Sequence, residues 1–142
     1  MATAAARGIR VGRLGEQAAA RYLEGLGYRV LDRNWRSPDP EQRGELDLVL
    51  RHRRDLVICE VKTRTGSALG HPAEAVTEEK AARLRRLAVL WLRNRRVRRP
   101  GPLFRARPDP APTRIRIDVV AVRLGPREPF PLLSIEHLRA VA

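Results

Sequence analysis

Cysteine occurs once in this 142-residue chain, at Cys59. One thiol forms no internal disulfide and builds no zinc cluster on thiolates, so the chain is expected in a reducing compartment. Long hydrophobic runs are missing too. The strongly apolar runs at residues 87–92 and 119–122 fall far short of the roughly 20 residues that cross a bilayer, and no membrane partner is expected. Residues 1–11 are rich in alanine but lack the continuous apolar stretch of a secretory signal, so they read as a flexible leader and the cytoplasm as the address. Aromatic side chains number six: Tyr22, Tyr28, Trp35, Trp91, Phe104 and Phe130. The core must therefore be aliphatic, and base stacking on an aromatic sheet surface is disfavoured. No Gly-x-Ser-x-Gly elbow, Walker loop or dinucleotide fingerprint occurs, and His52, His71 and His137 lack metal-ligand spacing.

Acidic residues are scarce in one place above all. Lys and Arg total 29 against 16 Asp and Glu, a net charge of +13, which points to a polyanion as partner. Between Lys80 and Asp109 there is no acid, and residues 81–107 carry ten arginines that account for all but +3 of the excess. Such a strip suits sequence-independent phosphate contact, assigned here to Arg64, Lys80, Arg83, Arg86, Arg93, Arg95, Arg96, Arg98 and Arg99. A solvated helix face followed by a basic loop is the plainer alternative.

The length fits one domain, residues 1–142. Leu14, Ala18, Tyr22 and Leu26 recur every four residues, with Ala19 and Leu23 beside them, and predict a helix over 13–26 that Gly27 stops. A short strand over 28–32 leads to a turn-rich loop closed by Gly44. Thr77, with Glu78 and Glu79 behind it, caps a second helix to about residue 94. That helix has Leu84, Leu87, Ala88, Trp91 and Leu92 on its apolar face and Arg83, Arg86 and Arg93 turned away. Five prolines make 95–113 an Arg/Pro-rich loop. Residues 115–124 alternate as a strand, and 132–141 read as either a short helix or a strand. The order α-β-β-β-α-β predicts an α/β domain, a mixed sheet with helices on its faces.

The chemistry lies in a hairpin. Residues 45–51 and 56–64 are strand-like runs around a turn at 52–55. A symmetric turn between Arg53 and Arg54 pairs Leu46 with Val61, Leu48 with Cys59 and Leu50 with Val57 on one apolar face. On the other it pairs Val49 with Ile58, Asp47 with Glu60 and Glu45 with Lys62. A slip of one residue destroys the coherence of both faces. In this register Asp47 opposes Glu60, and two unit charges about 5 Å apart at an effective dielectric near 20 repel by roughly 3 kcal/mol. A divalent cation reverses that sign, and an all-oxygen site favours Mg²⁺ or Mn²⁺; neutralisation by Lys62 and nearby arginines is the alternative. Lys62 is one of only two lysines beside 27 arginines, which suits a compact ammonium that positions or deprotonates a water.

Asp47 followed by Glu60-Val61-Lys62 resembles the D…ExK motif of the PD-(D/E)xK superfamily. A wider pattern surrounds it: Gly15-Glu16 with Ala19, Leu23 and Gly27; Gly44-Glu45-Leu46-Asp47-Leu48-Val49; Glu60-Val61-Lys62-Thr63-Arg64; Gly70, Pro72, Glu74-Ala75-Val76 and Lys80; Arg83-Leu84; and Ile117-Asp118-Val119-Val120. Over roughly residues 12–122 this resembles the YraN-like family of bacterial proteins, similar in fold to Holliday-junction resolvases. The resemblance implies a restriction-endonuclease-like mixed central β-sheet flanked by helices and a nuclease-type site. Asp47, Glu60 and the Val61 carbonyl would hold Mg²⁺ or Mn²⁺, Lys62 would position the attacking water, and Glu16 would approach as an extra acid from helix one. A surface acid near a helix start is the other reading of Glu16. The loops at 36–44 and 94–113 look longer than the family pattern.

The expected activity is metal-dependent phosphodiester hydrolysis on structured or branched DNA, with a homodimer compatible. A non-catalytic nucleic-acid-binding module on the same fold is the alternative, and a scaffold for an acidic protein is a third class.

Overall fold

The structure, a computed structural model, describes residues 3–66, 76–97 and 109–142. Its elements run α1 (Ala4–Gly25), β1 (Arg29–Arg36), β2 (Glu45–His52), β3 (Asp55–Thr65), α2 (Glu78–Val97), β4 (Arg114–Leu124) and β5 (Leu132–Leu138). The strands form one mixed sheet in the order β1-β2-β3-β4-β5. Neighbours are antiparallel except β3 and β4, which run parallel. A parallel pair needs a crossover, and α2 lies in it. The α/β expectation holds, and the segment that could have been helix or strand is a fifth strand, paired to β4.

One helix covers each face of the sheet. Ala19, Ala20 and Leu23 of α1 pack on Leu48, Leu50, Val57, Cys59, Val120 and Val122. Leu84, Leu87, Ala88 and Trp91 of α2 pack on Leu46, Val49, Leu56, Ile58 and Ile117. The core is aliphatic, as so few aromatics require. Three aromatics are buried with it, Tyr28, Trp91 and Phe130, and Trp91 donates its indole N–H to Asp32 at 2.9 Å. Thr77 caps α2 as expected, its hydroxyl accepting the Lys80 N–H at 3.1 Å.

Helix one differs from its expectation in two ways. It begins at Ala4, with the Thr3 hydroxyl accepting the Ala6 N–H at 3.0 Å, so residues 4–11 are helical. Alanine has the highest helix propensity but supplies no apolar period, so only the second half announces itself. The buried face also differs: Tyr22 and Leu26 are 38% and 52% exposed, while Gly15, Ala19, Ala20 and Leu23 are buried. At 3.6 residues per turn, a strict four-residue series drifts by about 40° per step and leaves the core side. Gly15 is buried because α1 nearly touches β3 there: a Cβ at this position would lie 1.9 Å from the Thr63 Oγ1. Only glycine lets the helix come this close. Gly27, at φ +92°, reverses the chain after the helix in a region other residues avoid.

A second polar group is built into the sheet. The Arg116 guanidinium donates both to Asp118, at 2.9 and 3.0 Å, and to Asp55 at 3.2 Å and the Tyr28 hydroxyl at 2.5 Å. Asp118 also takes the Ala140 N–H at 2.9 Å and faces the His137 Nε2 at 2.8 Å. His52 stacks on Tyr28 with ring centroids 4.0 Å apart. Burial works to raise the Asp118 carboxyl, but His137, Arg116 and the Ala140 N–H outweigh it and hold it below the usual range. Removing one partner leaves a buried charge short of its two-point ion pair, so Asp118→Asn and Arg116→Met are each expected to cost about 3–5 kcal/mol in denaturant unfolding. A cost under about 1 kcal/mol would show that the network is not what pins β5 and the C-terminal residues to β4.

Candidate functional site

The hairpin register is found as expected from Leu48↔Cys59 through Val49↔Ile58 and Leu50↔Val57 to His52↔Asp55. Above Leu48 the expectation needs correction. The paired ladder of β2 and β3 ends at Leu48↔Cys59, so Asp47 and Glu60 are not ladder partners. Instead the Asp47 carboxylate accepts the Val61 N–H at 3.0 Å. Leu46 does not join Leu48 and Val61 on the α1 side but packs with Val49 on the α2 side.

The neighbouring strand β1 shares the irregularity. Asp32 pairs with Val49 and Trp35 with Leu46, and Trp35, Leu46 and Val49 all belong to the α2-side core. The alternation of both strands therefore breaks between these pairs, at Asn34 and Asp47. Asn34 sits at φ +49°, a left-handed conformation that asparagine tolerates better than most residues. The break leaves Asp47 between the two faces, where its carboxylate takes over from the backbone ladder.

The acids gather around that point. Glu60 lies two residues beyond Ile58, on the α2 face, where its Oε2 meets the Lys80 Nζ at 3.1 Å. Lys62 follows two residues later in β3, paired to Ala121. Glu16 of α1 is half-buried; burial raises its carboxyl, against a hydrogen bond from the Asn34 side chain, and the charge of Glu45 adds to the rise. Asp47 is pushed up to about 7, first by burial and then by Glu60, with Glu16 and Glu45 adding and only the Val61 N–H opposing. Cys59, behind Asp47 and Glu60, is buried and its thiol pushed up by burial and by Asp118, Asp47 and Glu60. It is a core group, not a nucleophile.

The structure thus brings together Asp47, Glu60, Val61 and Glu16, with Lys62 next along β3. Sequence reasoning missed Asn34 altogether. It placed Lys80 in the phosphate strip, whereas the side chain is turned to Glu60; the rarity of lysine, used for Lys62, was the signal that could have found it. Arg83, Arg86 and Arg93 are exposed on α2. Arg95 lies over the Trp91 ring at 5.0 Å, and Arg64, also exposed, donates to the Thr63 carbonyl at 3.0 Å. Arg98, Arg99 and the side chain of Arg96 lie outside the described residues, as do Gly70, Pro72, Glu74 and most of the Arg/Pro-rich loop.

Among the described residues no group of three or more His, Cys, Asp and Glu side chains could by itself hold a metal ion. Two carboxylates and a backbone carbonyl are nonetheless a hard, all-oxygen donor set. Mg²⁺ keeps several of its waters and commonly takes only one or two carboxylates. The strongest charges acting on Asp47 are negative, so the residues present fit a divalent cation.

A family model described as "Uncharacterised protein family UPF0102" matches residues 15–122. The chain belongs to that family. This is the YraN-like resemblance drawn from the motifs, and the match takes in Glu16, Asp47, Glu60, Lys62 and Lys80. A UPF0102 protein of Frankia alni is 47% identical over 129 residues, covering 91% of each chain. A UPF0102 protein of Beutenbergia cavernae is 47% identical over 131 residues, covering 92% of this chain and 94% of the relative. That of Streptomyces coelicolor is 46% identical over 137 residues, covering 96% and 91%. Among the described residues no helix is long and apolar enough to cross a membrane.

The raised Asp47 carboxyl makes a pH prediction. Between its ordinary value and about 7, the folded protein holds a proton that the unfolded chain has lost, so stability falls as pH rises through that window. Asp47→Asn keeps an oxygen for the Val61 N–H and removes the loss. In EDTA it is expected to gain about 1–3 kcal/mol over the parent at pH 8 and little at pH 4, by denaturant unfolding. Parallel pH profiles for the two proteins would show that Asp47 is not destabilised by its surroundings.

Proposed function

We propose that this protein is a Mg²⁺- or Mn²⁺-dependent phosphodiesterase acting on structured or branched DNA. The observation that carries the reading is the placement of Asp47 where the β2–β3 ladder opens, its carboxylate on the Val61 N–H at 3.0 Å, with burial and the charge of Glu60 both acting to raise it. A fold that only needed to be stable would not keep a half-buried acid among other acids. Asp47, Glu60 and the Val61 carbonyl would hold the metal, which when bound stabilises the negative charge developing on the phosphate. The Val61 N–H fixes the direction of the Asp47 carboxylate. Glu16, held by Asn34, stands across from the pair as a further acceptor, and Lys62 orients the attacking water by its ammonium. Arg83, Arg86 and Arg93 contact substrate phosphates along α2.

Cleavage is expected with Mg²⁺ or Mn²⁺ on at least one substrate of a panel of duplex, flap, junction and RNA, and not in EDTA. Asp47→Ala is expected to lower the rate by at least about a hundredfold and to weaken metal binding. Equal metal affinity in the parent and Asp47→Ala would overturn the site.

The ion pair between Lys80 and Glu60 favours a second reading, a nucleic-acid-binding module without catalysis, because it neutralises one acid without metal. Binding without turnover across the panel, with affinity unchanged in Glu60→Ala, would select it. Both readings need the arginines. For each cation withdrawn from a duplex phosphate, the plot of log K against log salt flattens by about 0.9. Replacing Arg83, Arg86 and Arg93 together by Ala is expected to reduce the slope by up to about 3 for all sequences alike. An unchanged slope would make this face of α2 a solvated surface.

A further inference from the structure

Asp55 and Asp118 each meet an arginine fork. Arg114 donates Nε and Nη2 to the two oxygens of Asp55, at 2.9 and 3.0 Å, and Arg116 does the same to Asp118. Glu60 is held differently, by the single ammonium of Lys80 at 3.1 Å. A planar fork on a carboxylate is a two-point, oriented bond, whereas an ammonium is a point charge on a flexible stem that other cations can displace. With 27 arginines and two lysines in the chain, both lysines stand at Glu60: Lys80 in contact with it, and Lys62 two residues along the same face of β3.

The helix does not explain Lys80. It stands in the first turn of α2, at the positive end of the helix dipole, where Glu78 and Glu79 are favourable and a cation is not. From this position the cap needs only the backbone N–H, which Thr77 accepts. The side chain spans from solvent inward: Lys80 is 31% exposed and Glu60 14%. Arg83, nearly one turn on, is exposed, so Lys80 is the end of the α2 cation row that lies nearest the acid pair.

We propose that Lys80 is an exchangeable counter-ion: it occupies Glu60 while the site is empty, yields it to a divalent cation, and then contacts the substrate's phosphate. This rests on the reading of Asp47 and Glu60 as a cation site and adds a positioning residue that the D…ExK pattern does not contain. Lys80 would couple the two ligands, because releasing Glu60 frees the same ammonium for the polyanion.

Mn²⁺ binding, read from the EPR signal of the free ion without nucleic acid, tests the exchange in the parent, Lys80→Met, Lys80→Arg and Glu60→Gln. Removing the competing ammonium is expected to tighten Mn²⁺ binding by roughly 3- to 10-fold, and the arginine fork to weaken it by a similar factor. In duplex binding by fluorescence anisotropy, the parent is expected to gain affinity on going from EDTA to Ca²⁺, and Lys80→Met to lose that gain. Lys80→Gln serves alongside Lys80→Met, with thermal melting to confirm folding of both. Unchanged or weaker Mn²⁺ affinity in both neutral variants, while Glu60→Gln abolishes binding, would overturn the exchange and leave the cation site standing. Equal Mn²⁺ affinity in the parent and Glu60→Gln, or none in the parent, would overturn the cation site itself and the exchange with it.

Discussion

Repulsion between Asp47 and Glu60 is the constraint around which this sheet is arranged. Two carboxylates near each other and out of bulk water cost free energy, and the fold spends several local irregularities on keeping them there. The β2–β3 ladder stops one pair short of them. Asn34 takes a left-handed conformation opposite Asp47, and the strands change phase so that Leu46 leaves the α1 side for the α2 side. On the other side Gly15 lets α1 descend onto Thr63, which brings Glu16, the next residue, within electrostatic reach of Asp47. Each feature is unfavourable or restrictive alone, and all of them converge on one end of β2 and β3.

The same sheet shows what a purely structural acid looks like. Asp118 is fully buried, yet it meets an arginine fork, a histidine and a backbone N–H, and its carboxyl is held low. Asp47 is less buried and is held high, first by burial and then because Glu60, Glu16 and Glu45 repel its charge where Asp118 has partners that complement it. Burial alone does not separate the two cases; the sign of the neighbouring charges does. One acid anchors β5 and the chain's last residues to β4, and the other is the one that the proposed function assigns to a cation.

Local chemistry was legible in the sequence wherever one period or one symmetric turn governed it. The hairpin register followed from asking which pairing leaves both faces coherent, and it holds over five pairs from Leu48 to His52. It fails at Asp47 because a phase change that β2 shares with the neighbouring strand, at Asp47 and Asn34, leaves no trace in the hairpin's own pattern. Helix one was visible through its apolar period, but its alanine-rich first half was not, and Tyr22 and Leu26 were placed inward by a spacing that drifts off the buried face. His52 and His137 offered no metal spacing. Their role is to stack on Tyr28 and to face Asp118, contacts made across 24 and 19 residues of sequence that no local pattern encodes.

The distribution of charge bears on the order of events at such a site. The chain as a whole carries +13, and Arg83, Arg86 and Arg93 of α2 face solvent, a distribution that under the proposed function would draw a polyanion in over a long range. At the acid pair the local field has the opposite sign, and a phosphate approaching Asp47 and Glu60 is repelled at the last few ångströms. Under the proposed function, long-range attraction with short-range rejection would let nucleic acid lodge along α2 without touching the acids. Contact between phosphate and acids then requires positive charge between them: Lys80 meets Glu60 and Arg36 meets Glu45, but the charges acting on Asp47 are negative. Under the proposed function, a divalent cation must be in place before a phosphate can be held for hydrolysis, and nucleic acid alone would rest on the arginines.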